Sequence, residues 1–369
     1  MPLRRPETST NYPRGLMSIL TESNTKQHKA TNSNNSQQSN TTPEELREET
    51  QHRIKLIKSG RARKMRKIDF NKGCRMEVCG SHLEYDKFQN IMTGDLMRSL
   101  TYGNFCRCYK FCPVCSWHYS VKTSADFLGR LMRMQRERKA EGLKPYRLVF
   151  LTLTVLNCRL DELRETLRAM SKAWDRLVKT KRFQQAIQGG WFRGVEYLGD
   201  ETAAGMAHPH FHVLLIVTDS YFKKTYIKQS DWTDMWRDAL RVDYDPIVHI
   251  ERIKPRLRTV FDSTGMPAEK VQSATSAAAH EVCKYSVAPT QVDEMSDDDF
   301  RILYEQTFRG RVYAMGGKLK NTEPDPPQEL DREVWRYLGA EVWRWCMGQY
   351  MMTSFAEAHN NDDGKERDD

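Results

Sequence analysis

The stretch His208-Pro209-His210-Phe211-His212-Val213-Leu214-Leu215-Ile216-Val217 governs the reading of the whole chain. In a β-strand every second side chain points the same way, so His210 and His212 share a face. Phe211, Val213, Leu215 and Val217 fill the opposite face, while Leu214 and Ile216 continue the histidine face. A strand that is apolar on both sides past its first turn belongs in the middle of a sheet. Two imidazoles at the mouth of such a strand can grip one metal ion and leave coordination positions open, as phosphodiester cleavage requires. Glu196 falls on the preceding predicted strand, where a hairpin sets its carboxylate across from the pair to complete a two-histidine, one-acid set. Such a mixed donor set suits Mn²⁺ or Mg²⁺, and its imidazoles suit Mn²⁺ better. His208 is placed to support the set or to touch DNA.

Outward from this strand the pattern is α+β. Asp126 to Ala140, Leu160 to Lys181, Asp231 to Leu240, Gln272 to Ser286 and Phe300 to Phe308 have helical periodicity. Arg147 to Leu156, Trp191 to Leu198, His210 to Thr218 and Ile247 to Ile253 read as strands. The expected core, residues 123–320, is a small, mostly antiparallel sheet with helices packed on one face. Pro324 to Pro327 reads as a linker. Leu330 to Met351, with Val334, Trp335, Leu338, Val342 and Trp345, reads as a final helix that packs on the core or on a second subunit. Residues 321–352 are therefore expected to form a linker and a C-terminal helix. A disordered acidic tail is expected over 353–369.

The nine cysteines crowd toward the first third of the chain. Cys108-x3-Cys112-Pro113-x-Cys115 brings three thiolates into eight residues, a spacing that suits tetrahedral Zn²⁺. Cys79 is the expected fourth ligand, with Cys74, Cys106 and His82 as rivals. A structural zinc module over 71–122 follows, with Lys110, Trp117 and His118 as possible DNA contacts. Cys158, Cys283 and Cys346 stand apart and read as small apolar residues.

The chain has 369 residues, 58 Lys+Arg against 49 Asp+Glu, and a net charge of +9. Much of the positive charge lies in one helix expected over 44–70, capped by Thr42 and started by Pro43. Arg61, Arg63, Lys64, Arg66 and Lys67 on that helix are candidate DNA contacts, since a basic block points to a polyanionic partner. Residues 1–43 are polar, lack apolar periodicity and are expected to be disordered. No apolar run is long enough to span a bilayer and no signal core is present, so a cytoplasmic location is expected.

Glu281 and Tyr285 stand four residues apart in an expected helix and so share a face. Phenol is a poor nucleophile at neutral pH, but beside a metal ion it can attack a phosphodiester. Attack by Tyr285 leaves a 5′-phosphotyrosine and a free 3′-hydroxyl. Glu281 can then act as a base that activates water or a second 3′-end, and Lys284 can steer phosphate.

Taken in order, Cys108-Tyr-Lys-Phe-Cys112-Pro-Val-Cys115, Phe150-Leu-Thr-Leu-Thr154, His208-Pro-His-Phe-His212 and Glu281-Val-Cys-Lys-Tyr285-Ser closely resemble the rolling-circle plasmid replication initiators of the HUH endonuclease superfamily. Gly310-Arg-Val-Tyr-Ala-Met-Gly316-Gly317 is a weaker match. The resemblance covers about residues 75 to 320. It implies an HUH palm, metal binding by His210 and His212, covalent attachment at Tyr285, and Glu281 in place of a second tyrosine. It also implies origin DNA as partner, and unwinding by a host helicase ahead of a host polymerase, because no Gly-x4-Gly-Lys-Ser/Thr loop occurs in the chain. A homo-oligomer is a further possible assembly. The long polar N-terminus and Ser116-Trp-His-Tyr-Ser depart from the family, where a more basic run is usual. The alternatives are a relaxase or single-tyrosine transposase with the same chemistry, or a non-catalytic zinc-dependent DNA-binding regulator.

Overall fold

The computed structural model describes residues 43–199, 202–253, 256–261, 267–272, 279, 282–283, 289–326, 331–347 and 349–353. In chain order the elements begin with α1 (Pro43–Ile68), α2 (Phe70–Glu77), β1 (His82–Asn90), β2 (Leu96–Gly103) and α3 (Pro113–Ala140). Next come β3 (Arg147–Thr154), β4 (Cys158–Arg159), α4 (Leu163–Leu177), α5 (Lys181–Ala186), β5 (Gly190–Glu196), β6 (Met206–Ala207) and β7 (His210–Val217). They are followed by α6 (Gln229–Leu240), β8 (Val248–Arg252), β9 (Arg256–Phe261) and β10 (Pro267–Gln272). The last are α7 (Pro289–Glu294), α8 (Asp297–Thr307), β11 (Tyr313–Gly316), α9 (Lys318–Asn321), β12 (Trp335–Cys346) and β13 (Gln349–Thr353). The α+β reading holds. Of the segments 1–43 and 353–369, expected to be disordered, Pro43 opens α1 and Thr353 ends β13; the rest lies outside the described residues, as does the Thr42 cap. No described helix is long and apolar enough to cross a membrane.

Two compact units emerge: Met1–Cys108 with Pro326–Asp369, and Tyr109–Asp325. The second unit holds a five-stranded antiparallel sheet in the order β11-β5-β7-β3-β8. β7 is central, as its two-sided apolar pattern predicts, and Phe211 to Val217 are buried apart from His212. Directly opposed residues in an antiparallel pair share a face. Phe150, Leu214 and Phe192 therefore line one face, where Phe127, Leu131 and Met134 of α3 pack with Ala279, Val282 and Cys283. On the other face Trp174 of α4 meets Trp191 edge-on at 4.9 Å, and Trp236 of α6 faces Phe211 at 6.2 Å. Helices thus cover both faces, not one. The reason lies in β5 and β7, which offer apolar side chains both ways.

The first unit holds a second antiparallel sheet, ordered β13-β12-β1-β2. The C-terminal helix expected over Leu330 to Met351 is instead the β12–β13 hairpin. Trp335, Leu338, Val342 and Trp345 fit a helical spacing, but Gly339 takes φ +124°, which no helix admits. Aromatic and β-branched residues also favour a pleated surface, and β1 supplies the pairing edge across the register His82↔Arg344 to Asn90↔Trp335. Likewise, part of the stretch expected as a metal-stapled module is the β1–β2 hairpin. Of the helix expected over Gln272 to Ser286, Gln272 instead ends strand β10, Ala279 and Val282 are helical with Cys283 N–H donating to Ala279 O at 3.0 Å, and the remainder lies outside the described residues.

Candidate functional site

The cross-strand register assembles the three donors. Glu196 at the end of β5 pairs with His210 at the start of β7, and His210 pairs with Thr154 at the end of β3. One row further in, Gly194, His212 and Thr152 are aligned. Pro209 has no N–H to give the ladder, and β7 starts at His210. Glu196 Oε2 lies 3.0 Å from His210 Nε2 and 2.9 Å from His212 Nε2, and the donor atoms of all three residues fall within 4.8 Å of one another.

The outer nitrogens are fixed by a second layer. His210 Nδ1–H donates to the His208 carbonyl at 3.0 Å, and His212 Nδ1 lies 3.3 Å from Thr152 Oγ1. A carbonyl only accepts, so a neutral His210 must present the lone pair of Nε2 to a carboxylate oxygen. Two acceptors face each other there unless a proton or a cation intervenes. Imidazoles oriented through Nδ1, with Nε2 converging on a carboxylate, are what a divalent cation needs. The residues therefore fit a metal. Burial raises the Glu196 carboxyl, but whenever His210 and His212 carry a proton on Nε2, their hydrogen bonds and positive charge outweigh it and hold the group down at about 2. An ionised carboxylate in a largely buried position is ready to ligate.

His208 lies beside the set, its ring 5.3 Å from that of His210 and its Nδ1 against Asn157 Oδ1. Burial, then the neighbouring His210, lowers its basicity. The sequence motifs assign no role to Thr152 or Asn157. The strict alternation of Phe150-Leu-Thr-Leu-Thr154 already put Thr152 on one face with Thr154, but only the register shows that this is the histidine face.

Glu281, Lys284 and Tyr285 lie outside the described residues. Their neighbours Val282 and Cys283 are buried on the triad face. Val282 O stands so close to Gly194 that a Cβ there would come within 2.5 Å of it. Cys283 O accepts from Tyr313 Oη at 3.0 Å and from Ser120 Oγ.

A second donor cluster is formed by Cys79, Cys106, Cys112 and Cys115, all buried, with sulfurs within 4.8 Å of one another. Cys106 replaces the expected Cys108. Arg107 takes a left-handed φ of +61°, turning the chain between the two cysteines, and Cys108 Sγ is directed at the Cys106 carbonyl at 3.7 Å. Cys106 N–H donates to Cys79 Sγ at 3.3 Å. Cys112 caps α3 and Cys115 lies in its first turn behind Pro113, where the helix N-terminus favours thiolate. Four such sulfurs fit a tetrahedral metal.

The candidate DNA contacts of α1 divide. Arg63 and Lys67 are exposed and Lys64 is half-buried. Arg61 is buried, and Arg66 pairs with Glu77 at 3.0 Å. Of the residues near the cysteines, Lys110 turns inward and donates to the Thr307 carbonyl, and burial lowers its pKa to about 8.

An antiparallel sheet in an α+β fold carries two histidines and a glutamate at one end, and four thiols form a separate cluster; each group could hold a metal ion. Comparison with known proteins narrows the class. The family described as "Replication protein" matches residues 97–340. The chain is 32% identical over 260 residues to "Protein rep" of Lactiplantibacillus plantarum, covering 66% of this chain and 76% of that one. It is 31% identical over 258 residues to "Protein rep" of Bacillus amyloliquefaciens, covering 67% and 70%. Against "Protein rep" of Streptococcus pneumoniae serotype 2 (strain D39 / NCTC 7466) the identity is 29% over 249 residues. No solved structure matches. The chain belongs to the replication protein family, and the resemblance to plasmid rolling-circle initiators read from its ordered motifs is borne out.

Proposed function

We propose that this chain is a replication initiator that nicks one strand of a plasmid double-strand origin through a covalent tyrosine intermediate and rejoins strands at termination. The observation that carries the reading is the convergence of Glu196, His210 and His212 at one end of the central sheet. His210, His212 and Glu196 would hold Mn²⁺ or Mg²⁺. When bound, such an ion draws charge from the non-bridging oxygens of a phosphodiester. His208 O and Thr152 Oγ1 keep the two imidazoles aimed at one point.

Tyr285 is the nucleophile in this reading. Its phenolic oxygen bonds to phosphorus as the bond to the 3′-oxygen breaks, leaving a 5′-phosphotyrosine and a 3′-hydroxyl. The position of Val282 and Cys283 on the triad face supports it, because two further residues extend at most about 7 Å. Glu281 serves as the base that lets water or a new 3′-hydroxyl release the enzyme. Lys284 and the exposed cations Arg63 and Lys67 contribute phosphate contacts, and binding weakens accordingly with salt. Cys79, Cys106, Cys112 and Cys115 hold a structural Zn²⁺. Unwinding and synthesis fall to a host helicase and polymerase, in the cytoplasm.

The test is incubation with a labelled origin-strand oligonucleotide and Mn²⁺. A protein–DNA band that survives denaturation is expected, and Tyr285→Phe should abolish it. The double variant His210→Ala/His212→Ala should bind DNA without cutting it. Persistence of the band in Tyr285→Phe removes the nucleophile assignment. Binding without any cleavage by the unaltered chain would instead favour a regulator.

A further inference from the structure

Gly310-Arg311-Val312-Tyr313 matches the family weakly and has no role in the function proposed above, yet it lies beside the triad. Val195 N–H donates to Val312 O at 3.0 Å, and β11 then pairs with β5 from Tyr313 opposite Gly194. Arg311 lies two residues before β11, on the side from which β5 runs on to Glu196, and Glu196 begins the row that continues through His210 and Thr154. Arg311 thus stands one strand over from the carboxylate, at the same end of the sheet.

Arg309 and Arg311 are both exposed, and neither makes a hydrogen bond or ion pair among the described residues. Nearby arginines are engaged with the protein itself. Arg164 bonds the backbone of Gln306 at 3.3 Å, Arg301 pairs with Asp298 at 3.0 Å, and Arg130 holds Asp126 at 3.0 Å. The turn that presents Arg311 is also firmly held. Arg309 takes a left-handed φ of +57°, Gly310 N–H donates to Thr307 O at 3.0 Å, and Lys110 Nζ binds the same carbonyl. Beyond it, Tyr313 is fixed by its bond to Cys283 O and by ring contacts with Tyr119 at 5.4 Å and Phe192 at 5.9 Å. An exposed arginine on a rigid support, at this end of the sheet and without a carboxylate partner among the described residues, suits an anion brought by the substrate.

We propose that Arg311 binds a backbone phosphate of single-stranded DNA and holds the strand against the His210–His212–Glu196 end of the sheet, with Arg309 as a second cation on the same path. The proposal rests on the reading of this chain as a strand-nicking initiator. A planar guanidinium can meet two phosphate oxygens at once, which fixes strand direction as well as adding affinity.

The test is fluorescence anisotropy with a fluorescein-labelled single-stranded oligonucleotide without added divalent cation, over a series of KCl concentrations. Losing one phosphate contact to a single strand lowers the slope of log K against log salt by about 0.7. Arg311→Ala should show that drop and bind roughly tenfold more weakly, as expected for one charge-assisted contact. Arg311→Lys should keep the slope, since the charge remains. Arg301→Ala, whose arginine pairs with Asp298, should match the unaltered protein. An unchanged slope in Arg311→Ala overturns the phosphate contact, even where the unaltered chain forms its covalent DNA band with Mn²⁺. A lost band with the slope effect intact would instead remove the nicking reading and leave the contact standing.

Discussion

Gly194 offers a sharp probe of how the turn before Tyr285 is seated. It lies opposite His212, and its backbone is not left-handed, so alanine carries no intrinsic strain there. The added Cβ would lie 2.5 Å from Val282 O and 3.1 Å from Val282 Cγ1. A carbon and a carbonyl oxygen ordinarily approach to about 3.3 Å, so strand and turn must separate by about 0.8 Å. The obstructing atom is backbone, and the next carbonyl is held by Tyr313 and Ser120, so no side-chain rotation relieves it. Overpacking of this kind costs about 1–3 kcal/mol. A displacement near 1 Å in a reacting constellation lowers rate by roughly a hundredfold. Gly194→Ala should therefore slow formation of the covalent DNA band by about that factor, measured by quenched time points with Mn²⁺ and labelled oligonucleotide. Binding of the oligonucleotide without added divalent cation should change far less. A variant with unaltered rate and unaltered melting temperature would show that Gly194 does not set the seat of the turn, and the reasoning would fail.

Native mass spectrometry should find one zinc per chain, lost in Cys106→Ser and retained in Cys108→Ser, because only Cys106 joins the sulfur cluster; the opposite pattern would restore the spacing argument. Glu341 offers a test by pH. Burial raises its carboxyl, but Arg98 at 2.6 Å, Lys87 at 2.9 Å and Trp343 hold it down at about 2. A folded pKa below the ordinary value gives stability that is complete above the carboxylate range and is lost as pH falls toward about 2. Discounted for solvent screening, the contribution is about 1 kcal/mol. Urea denaturation should show that loss on acidification, and Glu341→Gln should lack it; equal acid sensitivity in both proteins would contradict the assignment.

Residues 208–217 disclosed a central strand because apolar side chains on both faces can be buried only between two neighbours. Alternation is a local property, and it also put His210 and His212 together. Pairing is not local. Glu196 reached the histidines because β5 happens to align its last residue with the first of β7. No pattern within either segment fixes that alignment, and the hairpin expectation succeeded by adjacency alone. Where the partner lies far along the chain, adjacency gives nothing. β12 pairs with β1 across some 250 residues, and its spacing of large apolar groups suited a helix equally well.

What the sequence by itself determined is the set of chemical parts: two imidazoles on one strand face, a thiol-rich segment, and an ordered series of motifs that identifies the family. Tertiary structure alone decided which thiol completes the cluster, which side of the sheet receives the 282–283 turn, and that Arg311 leads into the strand beside the one that ends at Glu196. A covalent spacing sets how far apart two residues can be, whereas a left-handed residue such as Arg107 or a cross-strand register sets where they point.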